Sequence, residues 1–287
     1  NMRFESPTTT KEAAALLAGE QGDAYILAGG TDLLVRMKMG SIEPALVVDI
    51  KRISVTHEIN VSAKGISIGA SVSGATMSEH AKLIKSWPGV VEAANLIGSD
   101  QIQGRCTIAG NLCNASPAAD SVPALIAAGA KAVIVGEQRR RTVAVEKIIT
   151  GPGTTSLQKD ELIESILLPK QSARSADAYL RFIPRTEMDI AVVGAGVSLS
   201  LNEDGTCAAV RLALGAVAPT VRLVETATDI LVGNKLNDSV LNALAIAASG
   251  VCTPIDDKRG TIEFRTKVAG VLARRAASIA WQRAEKN

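Results

Sequence analysis

Apolar positions come in short bursts along the first half of the chain and in longer helical stripes along the second. The stretch "SPTTTKEAAALLAG" places Thr9 and Glu12 at capping-box spacing and ends on Gly19, which predicts a first helix. A strand at Ala24 to Ala28, a glycine turn, a short helix over Thr31 to Met39 and a strand at Ala45 to Asp49 complete a small α/β unit. "GISIGASVSGATM" then alternates at the period of a strand, whereas "MSEHAKLIKSWPGVVEAANLIG" has helical spacing interrupted at Pro88-Gly89. "KAVIVGEQRRRTVAV" predicts a hairpin that turns near Gly136 to Arg140, and "DELIESILLP" a last strand.

The pattern changes near Pro169. The small, polar stretch "QSARSADA" reads as a linker, which puts a domain boundary near residues 170–178 and divides the chain into 1–172 and 173–287. Beyond it, strands at Asp189 to Leu201 and Cys207 to Ala216 are joined by the turn residues "NEDG". Helical spacing follows over Glu225 to Val232, Asp238 to Ser249 and Thr261 to Lys286. The class is α+β.

Composition narrows the function. A length of 287 residues suits two domains better than one core, and 47% hydrophobic with 21% charged residues is a globular balance. Thirty-one basic against 29 acidic residues leave +2, too little for a nucleic-acid footprint, and seven aromatics (two Trp, two Tyr, three Phe) offer no base-stacking platform. The first residues lack an apolar signal core, and Pro123 to Val135 is too short to span a bilayer, so a cytoplasmic location and no membrane span are expected. Cys106, Cys113, Cys207 and Cys252 show no C-x-x-C pair and suggest neither a disulfide scaffold nor a metal site.

The chemistry concentrates in two bare stretches. In "YILAGGTDLLVRMKMG" the chain turns at Gly29-Gly30, where backbone amides and the following helix start can converge on an anion such as a phosphate. The G-x-G-x-x-G and G-x-x-x-x-G-K-[ST] patterns are both absent, and one Gly-Gly pair alone reads as an ordinary turn. The second stretch, "CTIAGNLCNASPAADSVPALIAAGA", carries a small-residue turn at Ala109-Gly110-Asn111. Two such turns can wrap the two sides of a diphosphate, with Thr31, Thr107, Asn111 and Asp120 fixing its ends.

With "IGSDQIQG" leading into the second stretch, these motifs resemble the FAD-binding medium subunit of the molybdenum hydroxylases, the family of xanthine and bacterial carbon monoxide dehydrogenases. "RFIPRTEMDIAVVGAGVSL", Arg181 to Leu199, is similar to the opening of that family's C-terminal domain. The resemblance implies an FAD-binding domain of the vanillyl-alcohol-oxidase (PCMH) type, its two α/β subdomains split near residue 55. It also implies a C-terminal domain of three antiparallel strands with a helical bundle. By matched position, Leu27, Ala28, Gly29, Gly30, Thr31, Asp32 and Leu33 would form one side of the site, and Thr107, Ile108, Ala109, Gly110 and Asn111 the opposing loop. Asp120 would lie near the ribose and adenine side, Ile163 at a packing position, Arg181 near the cofactor, and Ile97 where some relatives place an aromatic over the flavin. The implied assembly is a dimer of heterotrimers with a large molybdopterin-binding subunit and a small subunit holding two [2Fe-2S] clusters. Electrons would pass from those clusters through FAD to an external acceptor.

Ala109 stands where the family has a glycine, which is harmless if its φ is negative. His57 and His80 lie outside both motifs, so FAD should be held without a covalent tether, and no catalytic side chain is expected beyond the flavin itself. Arg139 to Arg141 read as a solvated turn, or as a surface for a partner. Gly30→Val is expected to abolish cofactor retention by crowding the diphosphate. The competing readings are a structural subunit that has lost FAD and a free-standing flavin oxidoreductase of the same fold.

Overall fold

The computed structural model describes residues 1–185 and 188–287; Thr186 and Glu187, inside the quoted Arg181 to Leu199 stretch, lie outside the described residues. Strand β1 (Arg3–Glu5), helix α1 (Thr10–Gly19), β2 (Ala24–Leu27), α2 (Leu33–Lys38) and β3 (Leu46–Asp49) form the first unit, a parallel sheet in the order β1-β3-β2. The capping box forms: Thr9 Oγ1 accepts from Glu12 N at 3.1 Å, and the Glu12 carboxylate accepts from Thr9 N at 3.2 Å. That start points Ala13, Ala14 and Leu17 into the core.

In the second unit β4 (Ile59–Ser62) and β5 (Gly65–Gly69) are followed by α3 (Gly74–Glu79), α4 (Ala81–Ser86) and α5 (Pro88–Asn95). The alternating pattern therefore stops being a strand at Gly69. Ser73 Oγ accepts from Thr76 N at 3.1 Å, and this cap turns the second half of the pattern into helix. His80 Nδ1 accepts from Leu83 N at 3.2 Å to open α4, and Pro88 opens α5, so the helical stretch breaks twice. Then come α6 (Asp100–Gln103), α7 (Ile108–Asn114), α8 (Ser121–Ala127), β6 (Lys131–Val135), β7 (Arg140–Ala144), the small hairpin β8 (Ile149–Gly151) and β9 (Thr154–Thr155), and β10 (Leu162–Pro169). The antiparallel sheet runs β4-β5-β10-β6-β7, which puts the last strand of the unit at its centre. β10 is buried on both faces: Leu162, Ile163, Ile166 and Leu168 pack into the core, and Glu164 and Ser165 between them are buried as well.

The C-terminal sheet holds β11 (Ser175–Phe182), β12 (Val193–Leu201), β13 (Cys207–Gly215) and the two-residue β14 (Arg222–Leu223), antiparallel in sequence order. It has four strands where the sequence suggests three. The start of β11 reads as linker because Ser175, Ala176 and Ala178 carry no β-branched signal. After α9 (Ala227–Leu231) and α10 (Asp238–Gly250), α11 (Ile262–Lys286) lies across β11 and β12. Its buried Ala269, Ala273, Ala276, Ala277 and Ala280 let helix and sheet approach closely. Two apolar clusters result, one built mainly from residues 13–168 and the other from residues 176–284.

They meet through α5 and α8, which pack on the C-terminal sheet. A Cβ on Gly196 would come within 2.7 Å of Pro123 O in α8, so the contact needs a bare position there. At α5, Asp177 accepts from Gly89 N at 2.9 Å and Val90 N at 3.0 Å, capping the helix from the other domain. Among the described residues no helix is long and apolar enough to cross a membrane.

Candidate functional site

Strand β2 delivers the chain to the first bend. Gly30 adopts φ +79°, a left-handed conformation that favours glycine. Gly29 is bare for a different reason: a Cβ there would lie 1.9 Å from the carbonyl oxygen of Arg105 and 3.2 Å from Cys106 Cα. A Cβ on Gly30 would lie 2.8 Å from Leu27 Cδ1 and 3.0 Å from Leu34 Cδ1. Both added atoms would meet protein, so a side chain at either position strains the bend itself. The first helical bond of this bend runs from Leu34 N to Gly30 O at 3.0 Å, so the amides before Leu34 have no helical partner.

The segment behind Gly29 leads into the second bend. Here Ala109-Gly110-Asn111 is the first turn of α7 rather than an independent turn. Thr107 caps it, its Oγ1 accepting from Gly110 N at 2.9 Å, while Asn111 N bonds Thr107 O at 3.0 Å. Ala109 is helical and buried, with the negative φ that suits alanine. The amides of Ile108 and Ala109 precede the first helical bond. Asn111 Oδ1 accepts from Ser121 Oγ at 2.6 Å, leaving its Nδ2 as the end available to a ligand.

The two bends share one cleft of ≈ 320 Å³. Ala28, Gly29, Gly30, Thr31, Asp32 and Leu33 line it on one side, Thr107, Ala109, Gly110 and Asn111 on the other, with Ile97 and Ile163 completing the wall. Four expected residues lie outside that wall. Leu27 and Ile108 are buried in the protein interior, because strand alternation and helix periodicity turn them away from the cleft. Asp120 and Arg181 pair with each other instead: the carboxylate accepts from Arg181 Nη1 at 2.8 Å and from Tyr179 OH at 2.9 Å. Arg181 Nη1 also donates to Leu96 O at 2.9 Å, which sets the pair directly behind Ile97. Burial pushes the Asp120 carboxyl up to about 6 against the pull of Arg181.

Several cleft residues escaped the sequence reading. Thr155 ends the small β8–β9 hairpin and Leu157 follows it; the hairpin's strands are too short to leave a periodic signal. Tyr25 and Arg36 line one part of the cleft, the guanidinium 5.9 Å from the ring centroid; the visible clue was an arginine four residues after Asp32 on a helix. Burial raises the Asp32 carboxyl, and Arg36 draws it back. Glu161 is held at about 2, first by hydrogen bonds from Arg141 and against burial. Cys113 lines the cleft as a free, exposed thiol. Among the described residues no group of three or more His, Cys, Asp or Glu could hold a metal.

A cleft lined by unpaired amides, three threonines, two asparagines and one arginine fits a diphosphate-bearing ligand and lacks an acid–base pair. Residues 1–171 match the family described as "FAD binding domain in molybdopterin dehydrogenase". The chain belongs to that family. Residues 178–280 match the "CO dehydrogenase flavoprotein C-terminal domain". The carbon monoxide dehydrogenase medium chain of Hydrogenophaga pseudoflava is 32% identical, with 98% of each chain covered. The putative xanthine dehydrogenase FAD-binding subunit XdhB of Escherichia coli is 28% identical over 96% of this chain and 94% of its own. Among solved structures, carbon monoxide dehydrogenase from H. pseudoflava superposes with a TM-score of 0.93 at 32% identity, covering 99% of this chain and 98% of that one. Quinoline 2-oxidoreductase from Pseudomonas putida 86 gives 0.90 at 26% identity, covering 99% and 98%. This flavoprotein is accordingly an FAD-binding medium subunit of the molybdenum hydroxylases, an oxidoreductase component.

Proposed function

We propose that the chain holds one FAD non-covalently across its two bends and serves as the electron-transfer subunit of a cytoplasmic molybdenum hydroxylase, a dimer of heterotrimers. The observation that carries this reading is the seating of Gly29 against Arg105 and Cys106, which brings two sets of helix-opening amides to one cleft. Amides from Gly29 to Asp32 and those of Ile108 and Ala109 grip the diphosphate from opposite sides, as helix starts do for anions. Thr31 and Asn111 Nδ2 add side-chain donors. Arg36 supplies the positive charge that a diphosphate beside Asp32 requires. Ile97 and Ile163 exclude water with aliphatic packing, and the Asp120–Arg181 pair holds the Ile97 end in place through Leu96 O. Bound FAD supplies the carrier that takes electrons from [2Fe-2S] clusters of a small partner subunit and gives them to an external acceptor. Substrate oxidation belongs to a large molybdopterin-binding subunit. The two apolar clusters support a division into 1–172 and 173–287. Free thiols at all four cysteines suit a reducing compartment.

Purification of the chain from its native source tests the reading. Flavin, molybdenum and iron should co-elute with it alongside a large and a small subunit; a chain that elutes alone, free of both metals, contradicts it.

A further inference from the structure

The loop from Ala28 to Asp32 is braced from outside the cleft. Lys51 sits on the tight turn Ile50–Arg52 that follows β3. Its Nζ donates to the Ala28 carbonyl oxygen at 3.1 Å and to Asp49 Oδ1 at 2.7 Å. The same Asp49 oxygen accepts from Lys51 N at 3.0 Å, so backbone and side chain of the lysine are pinned by one carboxylate. Ala28 and Gly29 line the cleft, whereas Lys51 and Asp49 do not.

The peptide between Ala28 and Gly29 is trans and planar, so its C=O and N–H point in opposite directions. A carbonyl drawn outward to the lysine ammonium leaves the Gly29 N–H aimed the other way, toward the cleft. An inverted peptide would instead present a carbonyl oxygen to an anion, replacing attraction by repulsion. Gly29 has no Cβ and Gly30 stands at φ +79°, so local sterics alone do not fix this plane. Contact with Arg105 and Cys106 fixes where Gly29 sits, and the charge-assisted bond from Lys51 is the polar constraint on which way the Ala28 carbonyl points.

From this we infer that Lys51, held by Asp49, is the positioning residue of the diphosphate loop: it sets the Ala28–Gly29 peptide so that the Gly29 amide faces the cofactor's phosphates. The inference rests on the function proposed above. It differs from a merely structural tie between β2 and β3, which would stabilise the fold without touching the phosphate environment.

The full chain carrying Lys51→Met, Lys51→Arg or Asp49→Asn is stripped of flavin and titrated with FAD, and the ³¹P resonances of the bound cofactor are recorded. Lys51→Met is expected to raise the Kd for FAD about tenfold and to displace the ³¹P signals, since a hydrogen bond to a charged group is lost. Lys51→Arg should restore affinity to within about twofold, and Asp49→Asn should shift both readouts in the direction of Lys51→Met. Unchanged affinity in folded Lys51→Met, or weaker binding with unmoved ³¹P signals, overturns the inference. Should Lys51→Met fail to fold, Asp49→Asn decides by the same two readouts. Wild-type chain that takes up no FAD fails the underlying function; wild-type binding with indifferent variants fails this inference alone.

Discussion

At Gly29 a hydrogen stands where any other residue would push a carbon into the Arg105 carbonyl, and that single omission keeps two chain segments in contact. Gly29→Ala must separate the bends by the better part of a van der Waals contact, since overlap with backbone cannot be relieved by a rotamer change. We expect the variant to fold with about 1–3 kcal/mol less stability and to lose most of its bound flavin, read as flavin absorbance per chain beside a thermal melt. Full flavin occupancy in folded Gly29→Ala would sink the idea that contact between the bends builds the site. Gly30→Val should lose flavin too, through its left-handed φ and its contacts with Leu27 and Leu34. The glycine pair was legible in the sequence because bare residues at a strand end announce a special turn. What the bareness accommodates was not, because Arg105 lies far along the chain and its carbonyl carries no sequence signature.

Among the elements, the β6–β7 hairpin shows how a charge run becomes structure. Arg139 bonds Asp160 at 2.6 Å and Glu161 at 2.8 Å, Arg141 bonds Glu161 at 2.9 Å, and Arg140 bonds Glu164 at 2.5 Å. The run is therefore paired within the chain while its side chains stay in contact with solvent. It is the ionic tie between the hairpin and the end of β10 that lines the cleft. Glu161, with 0% side-chain exposure, carries the sign of the effect. Its folded-state value of about 2 lies below the ordinary 4.5, so its contribution is complete above about pH 4.5 and is lost as the pH falls toward 2. Acid unfolding followed by circular dichroism should be shallower over that window in Glu161→Gln than in wild type; identical acid profiles would contradict the assignment. Strand and hairpin positions were readable from alternation and turn residues. The partner of each arginine was not, since β10 enters between β5 and β6 only through long-range pairing.

For the molecule as a whole, the tie between the two apolar clusters sets the geometry of the cleft's far end. Asp177 on β11 caps α5, and Arg283 on α11 donates to Asp177 O at 2.8 Å and pairs with Glu92 on α5. Helix α5 in turn leads to Leu96 and Ile97. Asp177→Ala leaves two buried amides without an acceptor and should cost about 1–3 kcal/mol, measured by chemical unfolding. Burial pushes the Asp177 carboxyl up to about 7 from its ordinary 3.8, so the folded chain keeps a proton that the unfolded chain releases. Its contribution is present below about pH 4 and declines as the pH rises toward 7, and that part of the wild-type pH dependence should vanish in the variant. A variant as stable as wild type, with the same pH slope, would show that the clamp is idle.

In the proposed function, backbone amides from two bends grip one diphosphate. Displacement of FAD from the full chain by ADP and, separately, by adenosine, which differ in the diphosphate alone, reads that grip. One FAD per chain is expected, with adenosine at least about a hundredfold weaker than ADP as a competitor, two or more charge-assisted hydrogen bonds being lost in the nucleoside. Adenosine competing as well as ADP, or a folded chain that binds no FAD, would contradict it.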